Sequence, residues 1–191
     1  MNNKKRGTLV LYTGSSGVGK GTIMQRLLEL NPNIRLSVSN TTRSPREGEI
    51  DGVHYNFVTE EQFKSLIPDD GYLEYAKYCD HYYGTPKKPV EEMIDNGYDV
   101  FLEIEVCGGL QVMEKYPDIL SIFILPPSMD VLEKRLRKRG TEDEETIKKR
   151  LEQAKHEISF KDKYRYNVIN GELDKAVDEV LEILRKEKSN T

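Results

Sequence analysis

The sequence predicts an α/β fold: a parallel sheet flanked by helices, interrupted between about residues 36 and 96 by an inserted α+β lobe. Three observations carry this. The β-favouring run Leu9-Val-Leu-Tyr-Thr13 leads without a gap into the glycine-rich Gly14-Ser15-Ser16-Gly17-Val18-Gly19-Lys20, and that into a helical pattern. Two further apolar runs, Val100-Phe-Leu-Glu-Ile-Glu105 and Ser121-Ile-Phe-Ile-Leu125, recur among helical stretches as core strands do. Between residues 36 and 96 no regular strand-helix alternation is legible.

Leu9–Thr13 reads as a buried strand. The segment after it fits G-x-x-x-x-G-K, a phosphate-binding loop (P-loop), and predicts a P-loop NTPase-type sheet. Glycines let backbone N–H groups turn inward around a polyphosphate, and the start of the helix adds partial positive charge. Lys20 supplies a mobile full charge. The position after it, where Ser or Thr normally meets magnesium, is Gly21, and the hydroxyl comes one place later at Thr22. A Gly-Lys-Gly-Thr ending also occurs in nucleoside-monophosphate kinases, and leaves the metal dependent on water and on the nucleotide's own phosphates. Residues 14–22 are therefore expected to bind ATP, with Mg2+ arriving on the nucleotide and no protein ligand assigned to it.

Thr22–Leu30 is predicted as a helix with Ile23, Leu27 and Leu30 on its buried face, stopped by Asn31-Pro32. Leu36–Ser39 alternates as a second strand would. Asn40–Glu49 is polar, contains Pro45 and Gly48, and reads as a loop outside the core. Its two arginines, Arg43 and Arg46, can grip phosphate oxygens with their guanidinium forks. Glu60–Ile67 suggests a short helix ended by Pro68. The aromatic stretch Tyr72–Tyr83 suggests antiparallel strands. Pro89 reads as the first residue of a helix reaching Asn96, with Gly97 as its stop.

Val100–Glu105 is predicted as a central strand ending in Glu103 and Glu105, two apart and so on one face, beside a magnesium–phosphate cluster or a ligand edge. Ser121–Leu125 is another strand, and Ser128 caps a helix Met129–Arg139. Thr141-Glu-Asp-Glu144 has the form of a capping box opening a helix through Arg150 to about Lys161. Tyr166–Asn170 supplies a last strand and Leu173–Lys188 an amphipathic last helix. The basic cluster at residues 134–139 falls where P-loop kinases carry a lid.

The motifs Ser39-Asn-Thr-Thr-Arg43-Ser-Pro-Arg46-Glu-Gly-Glu49, Tyr55-Asn-Phe-Val58, Gly71-Tyr-Leu-Glu74-Tyr, Tyr82-Tyr83-Gly84-Thr85, Arg135-Leu-Arg-Lys-Arg139-Gly and Val168-Ile-Asn170 together resemble guanylate kinases, in family order and along the whole chain. The resemblance implies one domain, with a core of residues 7–35, 97–134 and 156–191, a GMP-binding lobe at about 36–96 and a helical lid at about 135–155. It implies transfer of the ATP γ-phosphoryl group to GMP or dGMP. By the same resemblance Arg43, Arg46, Tyr55 and Tyr83 hold the GMP phosphate, while Ser39, Glu74, Thr85 and Glu105 read guanine. Lys20, Arg43, Arg135, Arg139 and Arg150 then form the catalytic set. Relatives often have Asp at positions 103 and 105, Gln at Cys107 and Asp at Gly171. A protein-binding module of the same fold typically has a damaged P-loop. The intact Lys20 and arginines, and the lack of a companion domain, argue for catalysis.

Composition narrows the partners. Charged residues are 32% of the 191, yet the formal net charge is only −4, so no global basic field suits nucleic acid. Cys79 and Cys107 have neither metal-site spacing nor the density of a disulfide scaffold, which points to a reducing compartment. Met1–Arg6 is basic but leads into a short strand rather than a signal peptide's apolar stretch, and no segment has membrane-spanning length. A cytoplasmic protein is expected. His54, His81 and His156 have no metal-ligand spacing and read as surface or structural residues.

Overall fold

The computed structural model describes residues 5–138 and 143–189. In chain order the elements are β1 (Leu9–Gly14), α1 (Lys20–Leu30), β2 (Ile34–Leu36), β3 (Asn40–Thr41), β4 (Asn56–Phe57), α2 (Glu60–Ser65), β5 (Tyr72–Tyr78), β6 (His81–Pro86), α3 (Lys87–Asp95), β7 (Asp99–Glu103), α4 (Val106–Lys115), β8 (Leu120–Leu125), α5 (Met129–Lys138), α6 (Glu144–Ile158), β9 (Tyr166–Ile169) and α7 (Leu173–Ser189).

Five strands form a parallel sheet in the order β2-β7-β1-β8-β9. The apolar runs that announced β1, β7 and β8 are continuous because both faces of this sheet are covered. Val10, Tyr12, Phe101, Ile122 and Val168 pack on one side with Ile23, Met24 and Leu27 of α1 and Val177 and Val180 of α7. Leu11, Leu102 and Phe123 pack on the other with Val90 and Ile94 of α3 and Val112 of α4. A fully buried Leu, Ile or Phe is worth roughly 1.5–3 kcal/mol, so these two layers dominate the fold's stability. Leu30 is 49% exposed, and Met24 takes the buried place expected of it, because the helical face turns by 100° per residue and runs off the sheet at the last turn.

The second sheet, β4-β3-β6-β5, lies wholly within the insertion and pairs β5 with β6 antiparallel, as the aromatic stretch suggested. The Phe63 ring of α2 stacks on Tyr72 at 4.4 Å and on Tyr82 at 5.3 Å, giving this small layer its own packing. Asn40 and Thr41, expected in an exposed loop, are buried and form β3: Asn40 pairs with Gly84 and Asn56, and accepts a hydrogen bond from the Asn56 side chain. The expected strand at 36–39 is correspondingly split, since β2 ends at Leu36 and the next sheet begins at Asn40. Helix α3 starts at Lys87, so Pro89 is its third residue. This helix packs on the parallel sheet through Val90 and Ile94.

Helix α4 has no counterpart in the sequence reading, because Gly108 and Gly109 break the helical signal. Asp143 caps α6 by accepting from Thr146 N at 2.8 Å, while Thr141, the expected cap, lies outside the described residues. The helix stops at Ile158, short of Lys161, and is followed by a single 3-10 turn. Leu132 and Leu136 of α5 meet Ala154 and Leu151 of α6 in a small separate cluster.

Candidate functional site

At the C-terminal end of β1 the backbone passes Gly17 at φ 82° and Gly19 at φ 96°, conformations that side chains resist. A Cβ at Gly17 would lie 2.7 Å from Leu136, and one at Gly19 2.6 Å from the Asn170 amide. Glycine here admits both the turn and the close approach of α5 and the β9 end. Val18 is fully buried, and its carbonyl accepts from Asn170 Nδ2 at 2.8 Å and from Arg135 Nη1 at 3.1 Å. Arg135 Nη2 also donates to the Asn170 carbonyl at 2.8 Å. In this arrangement Arg135 braces the outside of the loop and does not line the cleft in front of it.

That cleft, about 500 Å³, is lined by Gly14, Ser16 and Lys20 of the loop, by Glu103 and Glu105, and by Arg150, Gln153 and Glu157 of α6. Lys20 Nζ donates to the Gly14 carbonyl at 2.5 Å and the Ser15 carbonyl at 3.2 Å. Burial pushes its pKa down, and the carboxylates of Glu103, Glu157 and Glu105 pull it back up. Burial raises the Glu103 pKa, with Lys20 opposing. Glu157 Oε2 accepts from Ser16 N at 3.3 Å, so a carboxylate occupies one of the loop's inward N–H groups. Its place was legible in principle: Glu157 stands seven residues after Arg150, on the same helical face. The expected pairing of Glu103 and Glu105 on a strand face is corrected, because β7 ends at Glu103 and Glu105 is the N-cap of α4. Both nonetheless line the cleft.

A second compartment of about 290 Å³ joins the first through Ser39, Tyr55, Tyr78, Glu103, Ile104 and Glu105, which line both. In its wall Glu74 is only 7% exposed; Oε1 accepts from Thr85 N at 3.0 Å and from Thr85 Oγ1 at 2.7 Å. Ser39 Oγ lies 3.2 Å from Thr85 Oγ1, extending the chain of hydroxyls. Burial pushes the Glu74 pKa up, and the Thr85 donors partly offset this. Gly108 of α4 leaves room for the carboxylate: a Cβ there would sit 2.9 Å from Glu74 Oε2.

Arg43, Arg46, Tyr55 and Tyr83 line the same compartment. The Tyr55 and Tyr83 rings meet edge-on at 6.0 Å, and the Arg43 guanidinium lies 5.6 Å from the Tyr55 ring centre. Arg43 is held by Glu49, whose pKa falls to about 2 under the Arg43 hydrogen bonds and the Arg46 backbone N–H.

Thus the fold gathers Lys20, Ser39, Arg43, Arg46, Tyr55, Glu74, Tyr83, Glu105 and Arg150 around one two-chambered cleft, with Thr85 reaching it through Glu74. Thr22 and Gly21 are exposed at the start of α1. Arg139 lies outside the described residues. The sequence reading had not assigned Glu49, Tyr78, Gly108, Gln153 or Glu157 to the site.

The phosphate loop lines one chamber, and the second adjoins it with Arg43 and Arg46 in its wall. A family model described as guanylate kinase matches residues 5–187. The chain belongs to the guanylate kinase family. A guanylate kinase from Caldanaerobacter subterraneus subsp. tengcongensis is 50% identical over 188 residues, covering 98% of this chain and 91% of that one. One from Synechocystis is 49% identical, with 96% of each chain covered. The crystal structure of guanylate kinase from Anaplasma phagocytophilum matches with a TM-score of 0.73 at 35% identity, over 96% of this chain and 87% of that chain. The P-loop NTPase-type sheet is therefore the family's fold. No helix among the described residues is long and apolar enough to cross a membrane.

Proposed function

We propose that this guanylate kinase family member binds ATP on the phosphate loop and GMP in the lobe chamber, and passes the γ-phosphoryl group across their shared wall to give ADP and GDP. It would serve guanine nucleotide synthesis and recycling, with dGMP as an alternative acceptor, and the two free cysteines suit a reducing cytoplasm. The observation that carries the reading is Glu74, a sheltered carboxylate that lines the same chamber as two arginines and two tyrosines. Guanine offers N1–H and an exocyclic NH₂ side by side as donors, which one carboxylate can accept, whereas adenine offers an acceptor at N1.

The chemistry asks for positioning and charge neutralisation. A GMP phosphate oxygen is already anionic near neutral pH, so it needs no general base. Lys20 would leave the Gly14 and Ser15 carbonyls to meet the β- and γ-phosphates. Arg43 and Arg46, with the Tyr55 and Tyr83 hydroxyls, would hold the acceptor phosphate, and Arg150 would approach from α6. Magnesium comes as part of the ATP substrate. Gly21 stands exposed where a hydroxyl would meet it, so phosphate oxygens and water would supply its donors, with Glu103 and Glu105 as the nearby carboxylates. The core, the lobe and the lid would act as three bodies, with the lobe's boundary drawn before α3, which packs on the parallel sheet, and with Arg135 staying on the phosphate loop it braces.

The test is a coupled assay of ADP release with ATP and each nucleoside monophosphate in turn, on the parent and on Lys20→Met. Turnover is expected with GMP and dGMP, and Lys20→Met should lose on the order of 10²–10³-fold in kcat while staying folded. Equal turnover of AMP would refute the guanine assignment, and a folded, fully active Lys20→Met would refute the loop's role.

A further inference from the structure

The loop between β3 and β4 carries Arg43 and Arg46 without regular structure to hold them. A free arginine on such a loop samples many rotamers, and binding a phosphate would have to order it at an entropic cost. Glu49 removes much of that freedom. Its Oε1 accepts from Arg43 Nη2 at 2.9 Å, and its Oε2 from Arg43 Nη1 at 2.9 Å and from Arg46 N at 2.7 Å. The Arg43 and Glu49 side chains are only 13% and 18% exposed, in contrast to a surface pair such as Lys149–Glu145 at 75% and 78%. Surface pairs of that kind contribute little, whereas a sheltered bidentate fork fixes the plane of the guanidinium.

The choice of donors matters. Glu49 takes the end of the guanidinium fork, one hydrogen from each Nη, and the Ser44 carbonyl takes another Nη1 hydrogen at 2.7 Å. The hydrogens left by these bonds are those on Nε and the second on Nη2, which are parallel and share one edge of the group; the Tyr83 hydroxyl also interacts with this guanidinium. That edge is the second bidentate face of an arginine and matches two phosphate oxygens. Glu49 therefore occupies the fork without consuming the face that a phosphate needs. The net charge left on Arg43, Arg46 and Glu49 together is +1.

We propose that Glu49 is a positioning residue for the acceptor-phosphate subsite, holding Arg43 and the Arg46 backbone so that the Nε–Nη2 edge of Arg43 faces the substrate phosphate. This rests on the GMP reading above and deepens it. Glu49 acts through Arg43, so its loss weakens recognition of the phosphate and leaves recognition of the base alone.

The experiment compares the parent with Glu49→Gln, which keeps the shape and one acceptor oxygen, and with Glu49→Ala. Steady-state constants for GMP and ATP are measured beside the inhibition constant of guanosine, which has the base and no phosphate. Glu49→Gln should raise the KM for GMP about tenfold, the scale of one lost charge-assisted hydrogen bond. Glu49→Ala should raise it further, with the ATP KM and the guanosine constant within about twofold of the parent in both. A GMP KM that stays unchanged overturns the proposal. So does one that falls, which would make Glu49 a competitor for Arg43, and so does a loss of guanosine affinity in Glu49→Gln equal to that of GMP. If the parent itself fails to phosphorylate GMP, the substrate assignment is what fails; if only the variants match an active parent, the positioning role alone is lost.

Discussion

Glu74 joins a structural cost to a functional one. Its carboxylate is desolvated, which lifts its pKa, and the Thr85 N–H and hydroxyl are the donors that keep the charged form tolerable. Because the folded-state pKa is raised, the carboxylate takes up a proton at higher pH than an exposed glutamate would. Protonation would remove an acceptor that the proposed reading of guanine's paired donors requires. Guanosine inhibition should therefore weaken as pH falls through that raised value, and Glu74→Gln should abolish this acid limb along with most of the affinity. Guanosine is the right probe, since its sugar carries no phosphate to titrate. A pH-independent inhibition constant in the parent down to the ordinary glutamate range would contradict the assignment.

Among the elements, α4 is the one whose sequence works against its own structure. Gly108 and Gly109 each cost a helix interior about 1 kcal/mol relative to alanine, yet both sit where another group presses close. A Cβ at Gly109 would lie 2.6 Å from the Tyr164 hydroxyl, and one at Gly108 would meet Glu74, which Thr85 pins from the far side. Gly108→Ala should then shift thermal stability little, as better helix propensity offsets the crowding, while raising the KM for GMP several-fold by displacing the carboxylate. An unchanged KM would mean that Glu74 can move aside freely. The helix also fixes Glu105, which as N-cap faces the two chambers from the point where β7 ends.

For the whole molecule, the proposed division into core, lobe and lid around one cleft predicts movement. The insertion has its own sheet, and α5 and α6 their own small cluster of Leu132, Leu136 and Ala154, while Leu73, Arg135 and Glu157 tie them to the main core, so closure would turn on these few contacts. Phosphoryl transfer needs water excluded, or ATP is hydrolysed instead. Small-angle scattering with a bisubstrate analogue should record a smaller radius of gyration than the free protein, with ATP or GMP alone giving intermediate values. An unchanged radius would mean that the cleft works as it stands.

The sequence alone determined what depends on neighbours along the chain. The phosphate loop was legible because strand, glycines, lysine and helix must be consecutive to work. The core strands were legible because burial on both faces demands unbroken apolar runs, and the resemblance placed Arg43, Glu74 and Tyr83 by their motifs. Tertiary structure alone decided the rest. The two-residue strands β3 and β4 have too few residues for a period; β3 forms because β6 offers it a hydrogen-bonding edge, and β4 because β3 does so in turn. Helix α4 hid behind glycines whose reason lies in Glu74 and Tyr164, far away in sequence. Leu30 fell off the buried face because the sheet ends before the helix does. Arg135 and Glu157 met the phosphate loop from helices more than a hundred residues downstream. A contact of that separation leaves no period in the chain, since only packing decides which surfaces meet.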